Sequence, residues 1–167
     1  MTDVIFDEYQ IRKLPPRERL DFLKQILTNN TDEASTRWDC VWLAGEIADE
    51  LPSDVQIRQE IADLMVWVLK NDENDIVSHE AAFQIGLRNM VDKMSDLLDA
   101  ALHHKGVITR HEAIEGLCLA RRHEYRNTIE SIAHDKTEPE PVRVTAAFVV
   151  ERLDKLKNAG VYRGGPV

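Results

Sequence analysis

Glycine, proline, cysteine and aromatic residues are all scarce in this chain of 167 residues, which has 7 Gly, 6 Pro, 2 Cys and 6% aromatics. A low content of Gly and Pro is typical of helical proteins and atypical of disordered chains. The two cysteines, Cys40 and Cys118, lack the C-x-x-C spacing of a zinc knuckle and are too few for a disulfide framework. We therefore expect both to be buried, reduced thiols.

Long apolar runs and an excess of basic residues are also missing. Runs rich in apolar residues, such as Val144 to Val150, are far shorter than the ~18 residues that a membrane span needs. The formal net charge is −9, which argues against nucleic acids and anionic membranes as partners and favours a basic partner or substrate. The N-terminal residues Met1 to Glu8 are acidic and do not form a signal peptide, so we expect a cytoplasmic protein.

The chain does contain a series of amphipathic helical segments. Hydrophobic residues make up 43% of it and charged residues 31%, and the apolar positions recur at spacings of three and four. This length suits one all-α domain. Eight helices are predicted as four hairpins over residues 14–50, 54–89, 90–121 and 124–157, with Thr31 or Asp32 capping the second helix and a frayed tail over 158–167.

The second helices of these hairpins align with one another without gaps. The aligned segments begin at Arg37, Ser78, Arg110 and Arg143. The next two residues are His79-Glu80 and His111-Glu112 in the inner segments, 32 residues apart, and Trp38-Asp39 and Val144-Thr145 in the outer segments. This self-similarity predicts an α-solenoid. The confinement of the His-Glu pairs to the inner repeats indicates a local site between outer walls.

The residue types of these pairs favour a metal ion. Neighbouring helices pack ~8–10 Å apart, so His79 and His111 can converge on one ion. Two imidazoles and one carboxylate suit Fe(II), with Mn or Zn as other occupants. Successive helical residues point ~100° apart, so we expect one of Glu80 and Glu112 to bind and the other to orient a ligand, and the residues alone do not choose between them. Binding requires neutral imidazole, so affinity should fall below about pH 6.

A family resemblance rests on the segments His79-Glu80-Ala81-Ala82-Phe83-Gln84-Ile85-Gly86 and Arg110-His111-Glu112-Ala113. Through them the chain resembles one half of the HEAT-like repeat proteins of the deoxyhypusine hydroxylase family. The resemblance implies a HEAT-like α-solenoid and a pair of non-haem irons, held between two halves, that activate dioxygen to hydroxylate a modified lysine on a protein. One half carries two His-Glu pairs where the complete enzyme has four, so the resemblance implies a homodimer.

The same resemblance assigns roles to individual residues. It implies His79, His111 and Glu112 as metal ligands, because the family has an iron-binding Glu in the second pair of each half. Glu80 is then the catalytic residue that orients a ligand or a basic substrate. One departure concerns the small residue seven positions past the His, which is Gly86 in the second repeat but Cys118 in the third.

Three functions remain open on this sequence. The first is a dimeric non-haem iron oxygenase or hydroxylase. The second is a metal-free solenoid that binds another protein, in which each imidazole forms a salt bridge that joins consecutive repeats. The third is a HEAT-like lyase or chaperone for a cofactor-bearing protein.

Overall fold

The structure is a computed structural model that describes residues 6–29 and 33–158. Within these ranges the chain forms helices and turns but no β-strand. The α-helices are α1 (Glu8–Ile11), α2 (Pro16–Asn29), α3 (Ala34–Glu50), α4 (Val55–Asn71), α5 (Asp75–Leu87), α6 (Met94–His103), α7 (Val107–Leu119), α8 (Arg126–His134) and α9 (Glu140–Asn158). Short 3-10 helices cover Val91–Lys93 and His123–Tyr125. The predicted all-α fold class is confirmed.

The eight longer helices form two rows. Consecutive helices pack as four successive hairpins, which are α2–α3, α4–α5, α6–α7 and α8–α9. The second helices α3, α5, α7 and α9 pack side by side in that order, while α4 contacts both α2 and α6 in the other row. The helices that carry the two His-Glu pairs, α5 and α7, are therefore direct neighbours, as the repeat alignment predicted.

Helix α1 is a single turn that the sequence pattern does not reveal. The Asp7 carboxylate accepts hydrogen bonds from the backbone N–H groups of Tyr9 and Gln10, and Ile11 is buried in the core. One turn holds too few residues to show a 3.6-residue period. The predicted cap at Thr31 or Asp32 and the predicted tail beyond Asn158 lie outside the described residues.

A single apolar core runs between the two rows of helices. Its largest fully buried side chains come from α2 to α7 and are Leu20, Leu23, Leu27, Leu43, Ile47, Ile61, Met65, Leu69, Ile85, Leu97, Ile114 and Leu117. Cys40 and Cys118 are both buried, as predicted, and neither forms a disulfide. In the described part of the chain, no helix has the combination of length and apolar character that crossing a bilayer demands.

Asp75, the first residue of α5, anchors the start of α7. Its carboxylate accepts hydrogen bonds from the backbone N–H groups of Ile108 at 3.1 Å and Thr109 at 3.0 Å. A Cβ on Gly106 would lie 1.8 Å from Asp75 Oδ1, so only glycine leaves room for this carboxylate. Burial acts to raise the pKa of Asp75, but the hydrogen bonds from Thr109 and Ile108 outweigh it and the pKa is lowered. The carboxylate therefore stays ionised at the positive end of the α7 dipole.

Ion pairs of buried arginines connect further repeats. In each case the arginine is the residue before the aligned two-residue motif, which is Trp38-Asp39 in α3 and His111-Glu112 in α7. Arg37 in α3 binds Asp72, in the turn before α5, with distances of 2.7 and 3.0 Å. Arg110 in α7 binds Glu138, in the turn before α9, at 2.5 Å. Each arginine reaches the following repeat, so these contacts fix the offset between neighbouring hairpins.

The backbones of α5 and α7 meet at two glycines. A Cβ built on Gly86 would lie 2.4 Å from Gly116 Cα and 3.0 Å from its carbonyl atoms, closer than any side chain allows. Gly116, and not the register-equivalent Cys118, is thus the small residue that faces Gly86. This contact brings the two helices together one to two turns after His79 and Glu112.

The two glycines differ in what a methyl group would meet, which gives a first testable prediction. Gly86→Ala forces backbone against backbone, so we expect a loss of about 1–3 kcal/mol in unfolding free energy. Gly116→Ala meets mainly the flexible end of Leu97, at 3.0 Å, and gains up to about 1 kcal/mol in helix propensity. It should therefore stay within about 1 kcal/mol of the parent. Urea unfolding followed by circular dichroism measures both, and equal stability of the two variants would contradict the close contact.

Candidate metal centre

The site lies between α5 and α7, where the glycine contact holds the two helices close. His79 points from α5 toward α7, and its Nε2 donates a hydrogen bond to Glu112 Oε2 at 3.0 Å. The Glu112 carboxylate is almost fully buried, whereas the imidazole of His79 is partly exposed. The carboxylate of the second pair thus binds the imidazole of the first.

Glu112 also changes the protonation of His79. The pKa of His79 is raised above 6.5, chiefly by the hydrogen bond to Glu112, against the opposing effect of burial. The negative charges of Glu112, Glu80 and Asp75 add to the increase. The other ring nitrogen, Nδ1, is buried and has no hydrogen-bond partner among the described residues. The proton between His79 and Glu112 therefore occupies the position in which a cation would be bound by both groups.

His111 also lies near the Glu112 carboxylate. Its Nδ1 is 2.6 Å from Thr145 Oγ1 in α9, and its Nε2 is 3.8 Å from Glu115 Oε1, one turn further along α7. Ligand atoms of His111, Glu112 and Glu115 all lie within 4.8 Å of one another. The Glu112 carboxylate therefore lies within reach of both imidazoles.

These separations fit the donor set of a small transition-metal ion. Two ligand atoms that each lie ~2.1 Å from an ion are ~3.0 Å apart at a right angle and at most ~4.2 Å apart in line with it. The His79–Glu112 distance of 3.0 Å matches the first value, and the His111–Glu115 distance of 3.8 Å falls between them. The donor group within 4.8 Å comprises His111, Glu112 and Glu115 and does not include His79, so one ion bound by both imidazoles requires these side chains to move.

Glu80 is held on a different side of α5. It is buried, and its Oε1 accepts a hydrogen bond from Gln84 Nε2 at 2.6 Å. Gln84 in turn accepts from Arg88, which pairs with Asp49 of α3 at 2.7 Å. A Cβ on Gly45 of α3 would collide with Gln84, so this chain of polar side chains lies against α3. Glu80 is therefore directed toward the first repeat, although it is the register equivalent of Glu112.

Apolar side chains flank the His-Glu pairs along the row of second helices. Trp38 and Trp42 of α3 stack with ring centroids 6.2 Å apart, and Trp42 stacks on Phe83 of α5 at 6.5 Å. At the other end, Val144 and Phe148 of α9 are exposed. The row thus has an aromatic wall, a polar centre and an exposed apolar patch.

Comparison with known proteins shows a similarity of fold and no similarity to a known family in sequence. No protein-family model matches the chain, and no curated protein matches it in sequence. Among solved structures, human deoxyhypusine hydroxylase in complex with glycerol is similar, with a TM-score of 0.69 and 18% identity. The match covers 91% of this chain and 49% of that one, so the chain spans about half the length of that enzyme.

The fold is that of one half of deoxyhypusine hydroxylase. The resemblance inferred from the His-Glu segments is confirmed at this level. An identity of 18% carries no ligand set with it. His79, His111 and Glu112 as metal ligands and Glu80 as the catalytic residue therefore stay predictions.

Two residues near the site were not predicted as site residues from the sequence. Glu115 follows His111 by four positions, which is the spacing of side chains that share one helix face. Thr145 stands at the register position of Glu80 and Glu112 in the last repeat. In α7 and α9 the second motif residue contacts the first motif residue of the preceding repeat, as Glu112 does with His79 and Thr145 with His111. These contacts between adjacent repeats depend on how α5, α7 and α9 pack, so they cannot be predicted from the sequence of one repeat.

The raised pKa of His79 gives a second testable prediction, on metal-free protein. A raised pKa means that the His79–Glu112 contact stabilises the fold fully below about pH 6.5, the value for unfolded histidine, and loses this effect as the pH rises through the folded value. Glu112→Gln should thus cost more unfolding free energy at about pH 6 than at about pH 9. An NMR titration should show the His79 pKa lowered in this variant.

Glu115→Gln is the matched control for this titration. Glu115 is not among the groups that shift the pKa of His79, so this variant should leave the His79 titration unchanged. A pKa of His79 that is the same in the parent and in Glu112→Gln would contradict the contact. Because the pKa of His79 is raised, chiefly by Glu112, the predicted fall in metal affinity should begin at a higher pH than the ordinary pKa of histidine implies.

Proposed function

We propose that this chain binds one transition-metal ion between α5 and α7 through His79, His111 and Glu112, with Glu115 as a further donor. The observation that carries the proposal is the position of the Glu112 carboxylate, which binds His79 at 3.0 Å and lies within 4.8 Å of the donors of His111 and Glu115. Two imidazoles with carboxylates and open positions suit Fe(II), and Mn or Zn can use the same ligands.

We further propose that the metal-loaded protein is a non-haem iron oxygenase or hydroxylase. Support comes from the fold shared with one half of deoxyhypusine hydroxylase. The Fe(II) ion would supply dioxygen activation. Hydroxylation of a C–H bond by dioxygen consumes two further electrons, so an external reductant is a required co-reactant.

The charge of the chain supports a basic side chain, on a protein or a smaller molecule, as the substrate. The net charge is −9, and Glu115 is part-exposed beside the proposed ion. Long-range attraction of a cationic group toward this surface follows from Coulomb's law and weakens with salt. In this proposal Glu80 is the orienting carboxylate, and its effect on a basic substrate is that of a buried negative charge, since its side chain is bound by Gln84 and does not touch the substrate.

The metal-free protein-binding solenoid is the second candidate. The specific observation in its favour is the His79–Glu112 hydrogen bond, which joins consecutive repeats without an ion. That hypothesis also requires a salt bridge from His111 to another repeat, but the carboxylate that His111 faces, Glu115 at 3.8 Å, lies in the same helix. No contact among the described residues favours the lyase or chaperone hypothesis.

Metal titration of single variants tests the proposed site. Because His79, His111 and Glu112 are direct ligands in the proposal, replacement of any one by Ala should weaken Fe(II) or Co(II) binding by more than about 100-fold, the upper range for loss of an outer-shell group. Anaerobic calorimetry measures the affinity, and circular dichroism checks that the helices remain. His123→Ala is the matched control, since His123-Glu124 is a His-Glu pair outside the repeat register. Parent-like affinity in all three variants would refute the site.

We also propose a homodimer that brings two copies of the site together. The chain spans about half of deoxyhypusine hydroxylase, and α9 exposes Val144 and Phe148 on the row that carries the His-Glu pairs. A further observation concerns Arg143, the register equivalent of Arg37 and Arg110. Its Nε is buried without a partner among the described residues, whereas the other two each bind an acid of the following repeat. A second copy packed against α9 can supply such an acid, and twofold symmetry makes one patch sufficient.

Light scattering at micromolar concentration tests this assembly. We expect twice the chain mass of 19.1 kDa. Val144→Glu should give the monomer mass because it puts a charge into the apolar contact. Val55→Glu is the control, because Val55 is also exposed but begins α4 in the other row. A parent protein that stays at 19.1 kDa with and without added Fe(II) would contradict the dimer.

A further inference from the structure

Thr145 makes two polar contacts from a buried position in α9. Its Oγ1 donates a hydrogen bond to the Pro141 carbonyl oxygen at 2.9 Å, one turn back along the helix. The same oxygen lies 2.6 Å from His111 Nδ1 in α7. The side chain is 7% exposed, so these two groups satisfy its hydroxyl without water.

The number of protons available decides the direction of the second hydrogen bond. A threonine hydroxyl has one proton to donate and two lone pairs that accept. A carbonyl oxygen only accepts, so the contact with Pro141 uses the proton of Thr145. The contact with His111 must then be donated by the imidazole, which requires the proton of a neutral ring to be on Nδ1.

We infer that Thr145 is a positioning residue that fixes His111 in the Nδ1–H tautomer and so makes Nε2 the metal-binding nitrogen. The Nε2 atom is the one that faces Glu115, at 3.8 Å, and an ionised carboxylate has no proton to donate to its lone pair. Histidines that bind metals generally donate their other N–H to an oxygen, which sets tautomer and ring orientation. The role at a metal rests on the proposed function, but the tautomer does not.

The two histidines are therefore prepared to different degrees. The Nδ1 of His111 is bound to Thr145 Oγ1, and its Nε2 faces Glu115 at 3.8 Å. His79 has its Nε2 proton bound by Glu112, and its Nδ1 has no partner among the described residues. An ion bound by both imidazoles through Nε2 would have to displace a proton at His79 but not at His111. The fourth repeat would thus contribute to the proposed site through Thr145.

Two substitutions of Thr145 separate the hydroxyl from the shape of the side chain. Thr145→Val retains the branched shape and removes the hydroxyl, while Thr145→Ser retains the hydroxyl. Nitrogen NMR of the metal-free protein at about pH 8.5 reports the tautomer of each neutral histidine. His134 and His104 are internal references: His134 Nδ1 faces the Glu130 carbonyl at 2.9 Å and must carry its proton, while His104 Nδ1 accepts from the Gly106 N–H at 3.0 Å.

In the parent and in Thr145→Ser, His111 should give the nitrogen signals of the Nδ1–H tautomer, as the reference His134 does. In Thr145→Val, His111 should become a mixture of tautomers, and Co(II) affinity by calorimetry should fall by about 10- to 100-fold, with Thr145→Ser close to the parent. His111 in the Nε2–H form in the parent would overturn the inference, as would a Thr145→Val protein unchanged in both tautomer and affinity. A parent with the Nδ1–H form that binds no Co(II) would support the tautomer assignment and contradict the proposed function.

Discussion

The close contact between Gly86 and Gly116 is the constraint on which the candidate site depends. It lets the backbones of α5 and α7 approach to a distance that no Cβ permits at Gly86. The cap that Asp75 forms on α7 fixes the same two helices at their other end. Two helices held at both ends have little freedom to slide, so the His79 imidazole and the Glu112 carboxylate are kept at 3.0 Å. The site is therefore a product of helix packing and not of one local motif.

The stack also explains why equivalent residues have different partners. In α7 and α9 the second motif residue contacts the first motif residue of the preceding repeat. Glu112 and Thr145 thereby reach His79 and His111. For Glu80, the first motif residue of the preceding repeat is Trp38 and not a histidine. The Glu80 carboxylate accepts a hydrogen bond from Gln84 instead. The first repeat therefore ends the polar row with aromatic side chains, and the fourth repeat ends it with a hydroxyl that supports His111.

The sequence is sufficient for the fold because helical period and repeat register are local properties. The spacing of apolar residues and the alignment of four segments predict the hairpins and the adjacency of α5 and α7. Sequence reasoning does not reveal α1, because one turn has no period, or Glu115 and Thr145, because their relation to His111 depends on the rotation of α7 and α9 about their axes. It also cannot choose between Glu80 and Glu112. In the structure the two carboxylates have different partners, Gln84 for Glu80 and His79 for Glu112, although the repeat register makes them look equivalent.

We propose that a cation takes the place of the proton between His79 of α5 and Glu112 of α7. The most direct measurement is anomalous X-ray diffraction at the metal edge from crystals grown with Fe(II) or Co(II). We expect one strong peak per chain at about 2.0–2.3 Å from His111 Nε2 and a Glu112 oxygen, with the direct hydrogen bond from His79 to Glu112 replaced by two metal bonds. No peak at this position, with the His79–Glu112 hydrogen bond intact in metal-saturated crystals, would contradict it.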